Sequence, residues 1–359
     1  MTYHVVEDSV SLDHITTTRT ASTTRDVPMR FIVGGYTASP PRYAGVAAES
    51  RFLAAVGALP QFGGLELPFT GAFHDDPGWL HRNLDPGWDI VATAIPGTVA
   101  RHGADPKFGL ASPDSAGRRN ALEFTADLHE AVAGLNQWAG RRAVIAVEVH
   151  SAPRASADAS AFADSLAEIA TWNWGGTCVT VEHCDAYSDA IPPQKGYLPL
   201  DAEIAAVQAA RQGDTNVGVT INWARSAIEA RDPTRPEAHI RAARTSGALT
   251  GVMFSGCADV DTLYGPAWID AHLPPSMGSD PTVVDLLAAE PSSLLTPTIV
   301  RRCLSAAGPN LAFTGLKISV QPDNLDVDAR VAYIRDALVM IERAGTEAPP
   351  TDEPRAANR

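Results

Sequence analysis

VTVEHCDA, residues 179–186, opens as an apolar, β-branched run and closes on four reactive side chains, Glu182, His183, Cys184 and Asp185. A run this short and this apolar reads as a buried strand. Charge at the end of such a strand costs free energy unless each group finds a partner or a ligand. The stretch therefore predicts a buried strand that ends at a working rim.

The same pattern recurs on either side of it. RFIVGGY (30–36), GGLELPF (63–69), WDIVATAIP (88–96) and RAVIAVEVH (142–150) precede TCVTVEH (177–183), and NVGVTINW (216–223), LTGVMFSG (249–256) and FTGLKISV (313–320) follow it. Between these runs, helical spacing appears near 43–59, 79–83, 115–138, 157–172, 201–211, 236–246, 281–307 and 326–344. Eight β-then-α units without a break in composition predict one (β/α)8 TIM barrel over residues 29–345. A doubly wound open sheet is the competing architecture. It is weakened because no G-x-G-x-x-G follows the first strand and no Walker A motif occurs. Residues 1–28 are rich in Thr, Ser and Asp and lack the apolar segment of a signal peptide. They are expected to form a disordered extension, with Met29 as the natural start, and residues 346–359 a disordered tail.

Composition excludes several partners. The formal net charge is -14 and no Lys/Arg run interrupts it, so the basic footprint of a nucleic-acid binder is missing. No apolar run approaches the roughly 20 residues of a membrane span. Cys178, Cys184, Cys257 and Cys303 form no C-x-x-C pair and read as free thiols in a reducing cytoplasm. A small-molecule partner is expected, for a chain acting alone or as a homodimer.

In a TIM barrel, chemistry sits at the C-terminal strand ends. Those ends carry Glu66, Glu148, His150, Glu182, His183, Asp185, Asn222, Arg225, Ser255 and Lys317, and the loop YGPAWIDAHLPPSMG (264–278) adds Trp268 and His272. Because side chains alternate along a strand, Glu148 and His150 share a face, whereas Glu182 and His183 point opposite ways. If Glu182 faces the lumen, His183 packs toward the helices or onto the rim, where a purely structural imidazole is an equal alternative. Glu148 and Glu182 lie on neighbouring strands, about 4.8 Å apart. Two such carboxylates could share a proton and divide acid and base roles, or hold a divalent cation. Lys317, inside GLKISV, could pair with one of these carboxylates, bind an anion, act as a base or form a Schiff base. Arg225 could grip a carboxylate, phosphate or hydroxyl-rich ligand, or form a rim salt bridge.

LELPF (65–69), VTVEHCDA (179–186), TINWARSAIE (220–229) and LKISVQP (316–322) together resemble the xylose-isomerase-like TIM-barrel superfamily of sugar isomerases, epimerases and apurinic-endonuclease-like barrels. EHCDA and INWARSAIE are similar to an uncharacterised bacterial branch of it, a domain of unknown function. In the superfamily's metal-dependent epimerases, strands five to eight supply Glu, Asp, His and Glu ligands. Glu182 matches the first, while Asn222, Ser255 and Lys317 stand near the other three. The resemblance thus leaves Glu182 and Asn222 as ligands to Mn, Mg or Zn, with Glu148, His150 or Asp185 as substitutes, or no metal at all.

The resulting expectation is a carbohydrate isomerase or epimerase acting by proton transfer beside a carbonyl. Glu182 is its principal acid/base, Glu148 the second carboxylate, and Lys317 the cation that stabilises the enediolate. His150, Asn222, Arg225, Glu66, His183, Asp185, Ser255, Trp268 and His272 would surround a sugar. A lyase or aldolase using Lys317, and a non-catalytic sugar-binding barrel, are the alternatives.

Overall fold

A computed structural model describes residues 29–211, 216–276 and 289–346. Strands β1 (Phe31–Val33), β2 (Phe62–Pro68), β3 (Asp89–Thr93), β4 (Val144–Val149), β5 (Cys178–His183), β6 (Val217–Asn222), β7 (Leu249–Phe254) and β8 (Phe313–Leu316) close into one barrel in sequence order. Neighbours are parallel throughout, and β1 closes the ring against β8. Each of the eight apolar runs forms a strand, and all but β2 are shorter than their sequence signals.

The helices are α1 (Val46–Gly57), α2 (Pro77–Asn83), α3 (Ile95–Ala104), α4 (Ser115–Ala139), α5 (Ala159–Ala170), α6 (Leu200–Ala210), α7 (Trp223–Ala230), α8 (Arg235–Thr245), α9 (Pro297–Ala307) and α10 (Val327–Thr346). Two of them, α3 and α7, fall where sequence patterning gave only strand ends and loops. α7 begins directly after β6: Asn222 closes the strand and its side chain accepts the Arg225 N–H, capping the helix. Arg225 is therefore a helical residue rather than part of a strand-end loop. The expected extension (1–28), most of the expected tail and the start of the 281–307 helical stretch lie outside the described residues.

Alternation along the strands explains the barrel's interior. Ile32, Val91, Ala146, Cys178, Met253 and Phe313 form a small apolar cluster separate from the main core. Two residues beyond Ala146 comes Glu148, and four beyond Cys178 and Phe313 come Glu182 and Lys317. The same inward faces that fill the floor with apolar side chains thus carry charge at the top layer. The outward faces meet the helices in one continuous core that includes Phe31, Phe52, Phe69, Phe162 and Leu166.

Candidate active site

The top of the lumen is a buried ion cluster centred on Glu182. Its carboxylate is met by Arg225 at 2.7 Å, by His150 Nε2 at 2.9 Å and by the Asn222 amide N–H at 3.0 Å. The Lys317 ammonium lies 3.7 Å from Glu182 and 2.5 Å from Glu66. All of these groups are buried. Burial alone would raise the Glu182 pKa, but Arg225 and Lys317 outweigh it and hold the carboxyl well below its ordinary value. Burial likewise works against the Lys317 ammonium, and the Glu182 and Glu66 carboxylates override it, keeping Lys317 charged. Glycine at 34 is required for this pairing: a Cβ there would stand 2.6 Å from Glu66 Oε2 and 2.9 Å from Lys317 Cγ.

Glu148 is the exception in this cluster. It is fully buried, yet among the described residues its oxygens have neither a hydrogen-bond partner nor the ion pair that Glu66 makes with Lys317. Burial pushes its pKa well up, and the neighbouring Glu182 and Glu66 charges push it further. In register Glu148 pairs with Thr180 rather than with Glu182. Even so, Glu66, Glu148 and Glu182 each bring an oxygen within 4.8 Å of the others. His150 leaves its second ring nitrogen, Nδ1, equally without a partner.

The loop after β7 is tied over this cluster. Asp270 accepts from Arg225 Nε at 3.1 Å and from Lys195 Nζ at 3.0 Å. His272 Nδ1 lies 2.7 Å from Ser255 Oγ and 3.5 Å from Asp270. Burial pulls His272 down to about 3, with Asp270 opposing the shift only in part. Trp268 packs partly buried against the core, and its backbone N–H donates to Ala258 O.

His183, one residue past Glu182, turns to the opposite side of the sheet, as alternation demands. There its Nδ1 lies 2.7 Å from Glu203 on α6 and its Nε2 lies 3.1 Å from Glu229 on α7. Asp185 accepts the backbone N–H groups of Gln194 and Lys195, closing its own loop. The lumen cluster therefore gathers Glu66, Glu148, His150, Glu182, Asn222, Arg225 and Lys317, with Ser255 and His272 in the covering loop's contacts. His183 and Asp185 stand apart from it. Sequence reasoning did not assign roles to Lys195, Glu203, Glu229 or His239. Glu229 and His239 lie on helix faces where nothing in the local pattern marks them.

The metal set implied by the resemblance does not fit these residues. Lys317 puts an ammonium where a carboxylate ligand would stand, and Arg225 covers a Glu182 oxygen at 2.7 Å. The Asn222 carbonyl oxygen is already taken by the α7 cap. Two fixed cations thus occupy the Glu182 and Glu66 carboxylates, and of the three carboxyls only Glu148 is left without an ion pair among the described residues.

The family model for a domain of unknown function, DUF4862, matches residues 32–333, and the chain belongs to that family. The uncharacterized protein STM3670 of Salmonella typhimurium is 35% identical over 323 residues, covering 88% of this chain and 97% of the relative. Among solved structures, a putative xylose isomerase from Rhodospirillum rubrum superposes with a TM-score of 0.56 at 10% identity, over 89% of this chain and 100% of that one. An AP endonuclease, family 2, from Brucella melitensis superposes at 0.51 and 16% identity, over 82% and 94%. The barrel is therefore of the xylose-isomerase-like type. Because both proteins share this backbone, the fold does not choose the chemistry.

Proposed function

We propose that this DUF4862 barrel is a carbohydrate isomerase or epimerase that moves a proton beside a carbonyl, with Glu148 as the group that carries the proton. The observation behind it is the pairing of a buried, unpartnered Glu148 carboxyl with a neighbouring cluster whose charges are fixed. A general base needs a pKa near the working pH and a free oxygen aimed at the substrate. Glu148 has the free oxygens, and its environment shifts the pKa in the right direction. Glu182, expected from sequence to be the principal acid/base, is instead held ionised by two cations and two further donors. Its part in this reading is to position Arg225, His150 and Lys317.

A metal ion bound by the ligand set that the resemblance implies would supply a positive charge for a developing enediolate oxygen. Here the Lys317 ammonium takes that place, a preorganised cation facing developing negative charge. The proton leaves the carbon beside the carbonyl for a Glu148 oxygen and returns from it to the neighbouring carbon, while the hydroxyl proton passes between the two enediol oxygens. Return to the other face of the same carbon requires a second proton donor across the sugar. The Lys317 charge also argues against a Schiff-base lyase. That chemistry needs a neutral amine, and Glu182 and Glu66 keep this one protonated. Asp270 holds the β7 loop over the mouth, so sugar entry in this reading goes with opening of its ion pairs to Arg225 and Lys195.

The test is solvent-proton exchange. The wild-type chain, incubated in deuterated water with a panel of aldoses, ketoses and their phosphates, should incorporate deuterium beside the carbonyl of at least one of them. Glu148→Gln should lower that rate by ~10²–10⁴-fold with the fold intact. Exchange unchanged in Glu148→Gln would remove Glu148 from the reaction.

A further inference from the structure

A second polar cluster lies outside the barrel wall, between the end of β5 and helices α6, α7 and α8. His183 Nε2 faces Glu229 Oε2 at 3.1 Å, and His239 Nε2 faces Glu229 Oε1 at 3.6 Å. One ligand atom from each of His183, Glu229 and His239 lies within 4.8 Å of the others. We propose that these three side chains form a zinc-class divalent metal site, separate from the lumen, with a fourth position open to water.

Three features support the assignment. The first is spacing. The two imidazoles reach the two oxygens of one carboxylate, His183 Nε2 at 3.1 Å from Oε2 and His239 Nε2 at 3.6 Å from Oε1, near the roughly 3.4 Å that separates nitrogen and oxygen ligands bonded to zinc at about 2.1 Å. The second is the outer layer. A ligating imidazole usually has its other ring nitrogen held by a carboxylate or another acceptor, which orients the ring and fixes its tautomer. Both rings show this. His183 Nδ1 is held by Glu203 at 2.7 Å, and Glu203 accepts the Ser151 hydroxyl at 2.5 Å. His239 Nδ1 is held by Ser226 Oγ at 3.0 Å. Glu229 is oriented too, by the Ala186 backbone N–H at 2.9 Å. The third is charge. Glu203 and Glu229 bring two carboxylates to the cluster, and Arg235, which pairs with Glu229, sits at the edge, 3.8 Å away and half exposed. Two imidazoles and one carboxylate suit zinc, cobalt(II) or iron(II) better than magnesium or calcium.

Bound there, the ion would pin α7 and α8 to the end of β5. His183 directly follows Glu182, so the clamp would steady the strand end that carries the lumen cluster.

The full-length chain, freed of metal by chelator and titrated with zinc sulfate and then cobalt(II) chloride, decides the matter. The proposal predicts uptake of about one zinc per chain, the visible bands of four-coordinate cobalt(II), and a zinc-dependent rise in melting temperature. His239→Ala should lose all three. Glu229→Gln, which keeps the side chain's size and an amide oxygen to accept the Ala186 N–H, should weaken binding at least tenfold. Glu148→Gln should bind zinc as wild type does. No uptake by the wild type, or full uptake by His239→Ala with loss in Glu148→Gln, would overturn the assignment and move any metal to the lumen. Because zinc is read independently of turnover, failure of this site and failure of the Glu148 reading give different results.

Discussion

Glu182 and His183 are neighbours in sequence and occupy two opposite electrostatic worlds. Inside the barrel, the positive charge is covalent: Lys317 and Arg225 are fixed to the chain and cannot leave their carboxylates. Outside, two glutamates and two histidines converge on a centre whose positive charge is a titratable proton. Burial would depress His183, but Glu203 and Glu229 raise it to about 10. Among the described residues the inner cluster also leaves Glu148 and one His150 nitrogen without a partner, whereas both nitrogens of His183 are engaged. The difference separates two uses of buried charge. Unmet acceptors beside fixed cations mark a place for a reacting molecule, and a satisfied ring of imidazoles and carboxylates marks a place for an ion or a structural clasp.

The contrast can be broken most forcefully at Lys317. Lys317→Met leaves the Glu66, Glu148 and Glu182 carboxyls buried around a lost cation and should destabilise the chain by ~3–5 kcal/mol, as removal of one partner of a buried pair does. Chemical denaturation would measure it. Adding Glu66→Gln should recover part of the loss, because the double variant strands one charge fewer.

A second effect, confined to acid pH, should come from the loop over the mouth. His272 is held at about 3 in the folded chain against an ordinary 6.5. Below 6.5 the unfolded chain binds a proton that the folded chain refuses. Its contribution is therefore complete above about pH 6.5 and is lost as pH falls toward 3, at roughly 1.4 kcal/mol per pH unit inside that window. The stability difference between wild type and His272→Asn should stay constant above pH 6.5, and the wild type should lose stability relative to the variant as pH falls from 6.5 toward 3. Parallel curves would show that the imidazole does not titrate as its burial demands.

The smallest effect belongs to the outer face. Ser151→Ala removes one of the hydrogen bonds that hold Glu203 and should cost about 1 kcal/mol with proton exchange at the sugar unaffected. A loss as large as that at Lys317 would mean that the two faces are not energetically distinct.

The sequence made the barrel and its charged rim readable, because both rest on short-range regularities. Apolar runs broken by Gly, Pro and Asp mark the strands, and a period of two places Glu182 inward and His183 outward. What escaped it depends on contacts distant in sequence. The Glu182 carboxylate is met from residues 150, 222, 225 and 317, so its ionised state is a property of the closed ring, and the proposal that Glu148 carries the proton rests on it. Glu203, Glu229 and His239 meet His183 only once three helices have packed. α7 was hidden for a local reason: its Asn222 cap is also the last residue of β6, and WARSAIEA is too short to show a helical stripe of its own. The cap followed by that run was the available signal.

The most direct test of the central claim compares deuterium incorporation by Glu148→Gln and Glu182→Gln in the same sugar and buffer, with folding checked by circular dichroism. The account predicts that Glu148→Gln loses exchange by ~10²–10⁴-fold. Glu182→Gln should lose less, with its cluster disordered. Exchange at the wild-type rate in Glu148→Gln, together with its abolition in a folded Glu182→Gln, would contradict the account and return the proton to Glu182.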